Sequence, residues 1–362
     1  MDDASAARAL FPARLEAVTP QWLSAVLGAS VADFVAEPVG DGAGFMGVVT
    51  RLRMDYRAAG TPGPRSVILK LPSGHAGARM QAGAFGHYAK EVAFYRNLAA
   101  RAPVRTAKPL FCGFDAAGMR FCLILEDLAP ARTGDQLGGL SRDEMAASVE
   151  AAAVLHGRWL GAVELQTFPW LPGLDDPTQL ALAEILPRCL PRYLEFTGGS
   201  AEAAAVAGCL GPRIALLLRV LARRRRTLVH GDLRGDNLLF DGLAGPVAFI
   251  DWQLVHKGTG LTDLAFLFTS SLATDDRRAL EGELMSLYLD TLKATGAAME
   301  TRAAWRDYAL SLALCWVWTV IGIGSLEVGK GRGAQVFAAW NTRLLAALAD
   351  HETARVVETE TA

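Results

Sequence analysis

The sequence is poor in the features that mark metal-thiolate, secreted or membrane proteins. Its five cysteines, Cys112, Cys122, Cys189, Cys209 and Cys315, form no CxxC pair. Zinc-ribbon and dithiol redox chemistry therefore have no footing here. Scattered and odd in number, the cysteines suit a reducing cytosol, and a cytoplasmic location is expected. The first ten residues, MDDASAARAL, are acidic and hold no apolar core, so no signal peptide is expected. The longest apolar stretch, ALSLALCWVWTVIGIG at 309–324, falls short of the roughly 18 to 20 residues a membrane span needs. A buried helix is expected there, and no membrane partner. Neither sign of charge dominates. The 36 Lys and Arg against 38 Asp and Glu leave a formal charge of -2, which offers nucleic acid no general attraction. No internal repeat and no low-complexity linker appears.

What is present is a well-packed globular composition. Hydrophobic residues make up 51% and charged residues 20% of 362 positions, enough for two lobes and a sizeable core. Thr19 and Pro20 read as the N-cap and first position of a short helix. A glycine-rich stretch, VGDGAGFMG at 39–47, precedes VVTRLRMDYR, whose Leu52, Met54 and Tyr56 alternate with charged residues as in a half-buried strand. SVILKLP is a second strand. The segment 84–102 has helical spacing, with Tyr88, Val92 and Tyr95 on one face and Glu91 on the same stripe. LFCGFD and MRFCLILEDL read as a hairpin around Ala116-Ala117-Gly118.

After Ala129 the pattern turns helical. SRDE at 141–144 is a capping box opening a helix to about Leu160. Further helices are expected at 177–196, 200–225, 275–294, 301–323 and 334–350. The interruption at 228–256 holds two short apolar strands around polar loops. The tail VETETA is expected to fray. The strand-rich part is taken as 1–128 and the helical part as 129–362.

The chemistry concentrates in TLVHGDLRGDNLLF and VAFIDWQ. Asp232 and Asn237 lie five residues apart, and Asp251 follows fourteen residues later. An asparagine oxygen and a carboxylate at the ends of adjacent strands can share one hard cation. Magnesium prefers such donors and keeps waters and phosphate oxygens in the rest of its shell. A second carboxylate nearby can orient an attacking hydroxyl, which is what phosphoryl transfer requires. Lys70, in the middle of an apolar strand, wants an anionic partner, and Glu91 is the natural one.

His230-x-Asp232-x4-Asn237 followed by IDW at 250–252 resembles the catalytic signature of the aminoglycoside phosphotransferase and choline kinase-like small-molecule kinases. The IDWQ wording and the downstream GTGLTDLAFLF look closest to the ecdysteroid-kinase-like group. The resemblance spans roughly residues 20 to 350. It implies an α+β, protein-kinase-like bilobal fold with a small β-rich N-lobe and a larger, mostly helical C-lobe. It implies ATP as co-substrate and Mg2+ as cofactor, with Asp232 as the catalytic carboxylate and Asn237 and Asp251 as metal ligands. Lys70 would reach ATP phosphates with Glu91 holding it, and Gly40, Gly42 and Gly44 would form the nucleotide loop. Glu126 to Leu128 would offer backbone groups to adenine.

Several residues get plainer roles. His230 is read as bracing the loop. Asp236 matches nothing the pattern requires and reads as a surface salt-bridge residue. Asp263 caps the next helix or braces the catalytic loop from below. His156 reads as a satisfied core histidine, and the four arginines at 223–226 suit a helix C-terminus. The expected activity is transfer of the γ-phosphate of ATP to a hydroxyl of a small molecule. A catalytically silent nucleotide-binding regulator is the alternative. A protein kinase fits less well, because twelve residues from Asp251 to Asp263 leave no room for a peptide-docking segment. Trp305, Tyr308, Trp316, Trp318 and Trp340 could line an apolar acceptor pocket, though core packing suits most of them. No acidic cleft for a polycationic drug is apparent. A sterol-like, aromatic or hydroxy-acid alcohol is preferred as acceptor. The oligomeric state has no sequence signal.

Overall fold

The computed structural model describes residues 11–40, 47–58, 60, 62–242, 245–325 and 331–362. The chain divides into two compact units, Met1–Ala102 with Thr106–Ala129, and Pro103–Arg105 with Pro130–Ala362.

The first unit opens with helix α1 (Pro20–Leu27). The Thr19 hydroxyl accepts the Trp22 N–H at 3.1 Å, and Gly28 ends the helix in the left-handed region. Five strands follow: β1 (Val31–Pro38), β2 (Gly47–Tyr56), β3 (Ser66–Pro72), β4 (Pro109–Asp115) and β5 (Arg120–Glu126). They form one antiparallel sheet in the order β1-β2-β3-β5-β4. Strand β1 carries too little alternation to be read from sequence. In β3, Val67, Leu69 and Leu71 point into a core shared with Trp22, Leu23 and Val26 of α1. Lys70 alternates onto the opposite face, opposite Leu123 of β5. There Tyr88 stacks on Phe121 with ring centroids 4.7 Å apart. Both faces of β5 are thus covered, so its sequence is a continuous apolar run.

Tyr88 belongs to α3 (His87–Asn97), preceded by α2 (Ala76–Ala84). The single helix expected at 84–102 is shorter and later. Gly86 sits at φ 64°, a left-handed break that separates the two helices.

In the second unit the capping box at Ser141 and Glu144 opens α4 (Arg142–Trp159). Helices α5 (Pro177–Leu180), α6 (Leu182–Phe196), α7 (Ala201–Leu210) and α8 (Ile214–Ala222) follow. The expected helix at 200–225 is therefore two, parted by a tight turn at Gly211–Arg213. Five short strands punctuate the helices: β6 (Arg132–Thr133), β7 (Thr227–Val229), β8 (Leu238–Phe240), β9 (Ala248–Phe249) and β10 (His256–Gly258). They pair as β10-β7 and β6-β8-β9. Five helices complete the unit: α9 (Leu261–Ser271), α10 (Thr274–Ala294), α11 (Thr301–Ser325), α12 (Arg332–Asp350) and α13 (Thr353–Thr361).

Three features depart from the sequence reading or refine it. Helix α9, the helix that Asp263 was expected to cap, is buried at every residue and has no polar face. The tail does not fray: α13 buries Val357 completely, and Arg224 reaches Glu360 at 2.5 Å. Two helical stretches, Ala201–Ala222 and Thr301–Ser325, are long and apolar enough to cross a membrane. Of the second, 78% of the apolar window is buried inside the protein, as expected of a core helix.

Candidate active site

Two short hairpins position the polar loop His230–Asn237. It leaves β7 and enters β8. Leu238 of β8 pairs with Phe249 of β9, and the Ile250 N–H donates to the Asn237 carbonyl at 3.1 Å. Asp251 follows at once. This register, rather than spacing along the chain, brings Asn237 beside the Asp251 segment.

Asp232 is buried and held by both oxygens. Arg234 Nε donates to Oδ1 at 3.0 Å, and Asn237 Nδ2 donates to Oδ2 at 2.8 Å. Burial holds the Asp232 carboxyl above its ordinary value; Arg234 pulls the other way, and the Asp251 carboxylate adds to the rise. Asn237 spends both amide contacts on Asp232, on its carboxylate and at 2.8 Å on its carbonyl. Its amide oxygen is thereby left as the acceptor atom. Asp251 stands in the left-handed region, φ 67° and ψ 67°, a strained backbone for a non-glycine residue. The Gln253 amide reaches its carboxylate at 3.3 Å.

The loop is braced from beneath. Asp263, fully buried at the start of α9, accepts the His230 N–H at 2.7 Å and the Gly231 N–H at 2.8 Å. Of its two expected roles, bracing is the one seen. His156 Nε2 stands 3.1 Å from the same carboxylate, and Tyr288 Oη lies 3.0 Å from His156 Nδ1. A carboxylate calls for the proton on Nε2, so in neutral His156 the Tyr288 hydroxyl donates to Nδ1. Burial would raise the Asp263 carboxyl, but its hydrogen bonds and the two histidines overcome this and hold it below the usual range. His230 Nε2 meets the Ile250 carbonyl at 3.0 Å, and its Nδ1 accepts the Asp232 N–H at 3.2 Å. Burial keeps this imidazole below its usual value against the pull of Asp263 and Asp232. Gly231 has φ 83°, and a Cβ there would lie 2.4 Å from the Leu254 carbonyl oxygen.

Asp236 is more than a surface ion-pair residue. Its Oδ1 accepts the Gln136 N–H at 3.0 Å and Arg332 at 3.1 Å. Gln136 in turn accepts from Arg234 at 2.8 Å. Arg234 and Gln136 escaped the sequence reading. Arg234 lies inside the loop motif and was open to notice, but nothing in the sequence marks Gln136 or Tyr288.

In the first unit Lys70 Nζ pairs with Glu91 at 2.5 Å, with side chains 12% and 1% exposed. A buried carboxylate on a helix stripe and a lysine on the facing strand satisfy each other. Gly40 is at φ 74°. Gly42 and Gly44 lie outside the described residues. Glu126 ends β5 with its carboxylate on the Lys108 N–H at 3.1 Å, and Leu128 is half-buried in the segment that follows. Between them Asp127 accepts Arg51 Nε at 2.7 Å, Ser66 Oγ at 2.6 Å and the Ala129 N–H at 3.1 Å. That knot, which the sequence reading missed, stiffens the segment expected to face adenine.

The donor set near Asn237 and Asp251 is oxygen only. Among the described residues no group of three or more His, Cys, Asp or Glu could hold a metal by itself. An amide oxygen with one carboxylate suits a cation that takes its remaining ligands from phosphate and water.

Comparison with known proteins bears on the fold and the family. Several solved structures share the fold. A Ralstonia eutropha protein assigned as an aminoglycoside phosphotransferase is 17% identical, with a TM-score of 0.54 over 93% of this chain and 97% of that one. Choline kinase LicA from Streptococcus pneumoniae is 16% identical, TM-score 0.53, over 88% and 95%. A choline kinase from Cryptosporidium parvum is 10% identical, TM-score 0.53, over 99% and 96%. These neighbours show the protein-kinase-like fold and do not single out the ecdysteroid-kinase-like group. No curated protein matches. The model of the phosphotransferase enzyme family matches residues 56–307, most of the chain, and the protein belongs to that family.

Proposed function

We propose that the protein is an ATP- and Mg2+-dependent kinase that moves the γ-phosphate to a hydroxyl of a small molecule. The observation that carries this reading is the Asp232 loop. One buried carboxylate is held by Arg234 and Asn237, with the asparagine oxygen left over and Asp251 following in the adjoining hairpin. Asp232 orients the acceptor hydroxyl and takes its proton. Its raised pKa strengthens it as a base relative to an exposed aspartate. Asn237 and Asp251 would hold magnesium, which neutralises charge on the phosphate oxygens. Lys70, oriented by Glu91, would bind the nucleotide phosphates, and the braced segment Glu126–Leu128 would receive the base.

The test is a search of a metabolite pool for ATP-dependent gain of one phosphate, comparing the wild type with Asp232→Asn. Products that appear with both proteins, or with neither, would remove the reading.

A further inference from the structure

The Arg234 guanidinium is gripped at two points. Its Nε donates to Asp232 Oδ1 at 3.0 Å, and its Nη1 donates to the Gln136 side-chain oxygen at 2.8 Å. Arginine has many rotamers, and one hydrogen bond fixes neither the plane nor the reach of its fork. Two contacts fix both. A second anion stands close by: Asp236 Oδ2 lies 3.6 Å from the same Nη1. A guanidinium released from Gln136 therefore has Asp236 as an alternative to Asp232. The Gln136 amide supplies an acceptor without adding a third competing charge.

Gln136 is itself held in place and is only 2% exposed. Its backbone N–H donates to Asp236 Oδ1 at 3.0 Å, and its carbonyl accepts Arg343 Nη1 at 2.8 Å. Arg343 belongs to α12. It also donates to the Leu137 carbonyl at 2.9 Å and to the Ser270 carbonyl at 2.8 Å, which ties residues 136–137 to the end of α9. The next residue of α9, Ser271, accepts the Gly235 N–H at 2.8 Å. The segment before Gln136 lies against the loop so closely that a side chain is excluded. A Cβ at Gly134 would stand 2.6 Å from the Gly235 carbonyl oxygen, and the Gly134 N–H donates to the Leu238 carbonyl at 2.9 Å. The backbone of Gln136 is thus fixed relative to the loop, and its side-chain oxygen is spent on the residue that holds Asp232.

We propose that Gln136 is a positioning residue for phosphoryl transfer. It fixes the far end of Arg234 so that Nε stays on Asp232, and α12 holds Gln136 there through Arg343. This rests on the kinase reading and adds to it a residue about a hundred positions from the loop motif.

The test uses the full chain with Mg-ATP and the acceptor whose phosphorylated product the metabolite-pool search identifies. Gln136→Met keeps the length of the side chain and removes its acceptor oxygen. It is expected to lower kcat by about tenfold to a hundredfold while the KM for ATP stays within about twofold. Made in an Arg234→Met background, the same substitution is expected to lower kcat no further, because both changes break one chain of contacts. Melting curves establish that each variant is folded. Gln136→Asn, one methylene too short to meet Arg234, replaces the methionine variant in both backgrounds if that one unfolds. A folded variant that keeps its kcat overturns the inference and leaves the kinase reading standing. So do losses that multiply in the double variant, the result a merely structural residue gives. Absence of any product from the pool removes both.

Discussion

At the scale of single residues, the proposed activity turns on Asp232. Its two oxygens are already held by Arg234 and Asn237, so in the proposed reaction an incoming hydroxyl would join a pre-oriented carboxylate. Asp232→Asn is expected to keep nucleotide affinity and to lower kcat at least about a hundredfold, the scale of losing a positioned base. Nucleotide titration beside turnover measurement checks both halves. The pH dependence follows from the direction of the shift. In the proposed reaction Asp232 must be ionised to act as the base, and burial places its pKa above that of an ordinary aspartate. Activity therefore falls, as pH drops, at a higher pH than an exposed aspartate would give. Arg234 opposes that shift, so Arg234→Met is expected to move the acid limb of kcat/KM further up in pH. A limb that stays put or moves down would show that Arg234 does not act on this carboxylate. If Asp251 holds the cation as proposed, Asp251→Ala is expected to raise the magnesium concentration needed for half-maximal rate, read from a metal titration.

At the scale of elements, the loop is tied to the helices under it. Asp263 collects two backbone N–H groups from the loop, and His156 and Tyr288 reach it from α4 and α10. Asp263→Asn leaves at least one buried donor poorly served and removes the charge that all of them favour. It is expected to cost about 3 kcal/mol near neutral pH, read as a lower midpoint in urea. Because the folded state holds this carboxyl below its ordinary value, the stabilisation is full above the unfolded pKa. It is lost as pH falls through the lower folded one. A wild-type protein that gains stability on acidification through that range would contradict the assignment. The final helix gives a second case. Composition suggested a loose end, yet Val357 is wholly buried. Val357→Ala is expected to cost about 2 kcal/mol, whereas a frayed tail would cost nothing measurable by the same denaturation. The polar letters of VETETA conceal this, since one apolar residue per two turns carries the contact.

At the scale of the whole molecule, a bound nucleotide is expected to appear as stability. Mg-ATP at about a hundred times its Kd adds about 2.7 kcal/mol, seen as a higher melting temperature that shrinks in Asp251→Ala. The sequence alone determined the order of parts: strands then helices, Lys70 then Glu91, and the motif from His230 to Asp251. Those features are legible because they are local or depend on a buried charge needing its opposite. It also placed the Ser141 capping box, which closes over four residues. Only the tertiary structure decided what Asp236 and Asp263 hold, that Arg234 grips Asp232, that Gln136 and Tyr288 belong with the loop, and which tryptophans keep surface. Tyr288 reaches His156 across 132 positions, and Gln136 reaches Asp236 across 100. Contacts at such separations leave no periodicity in the chain. They exist because packing brings together side chains whose neighbours in sequence are unrelated to them.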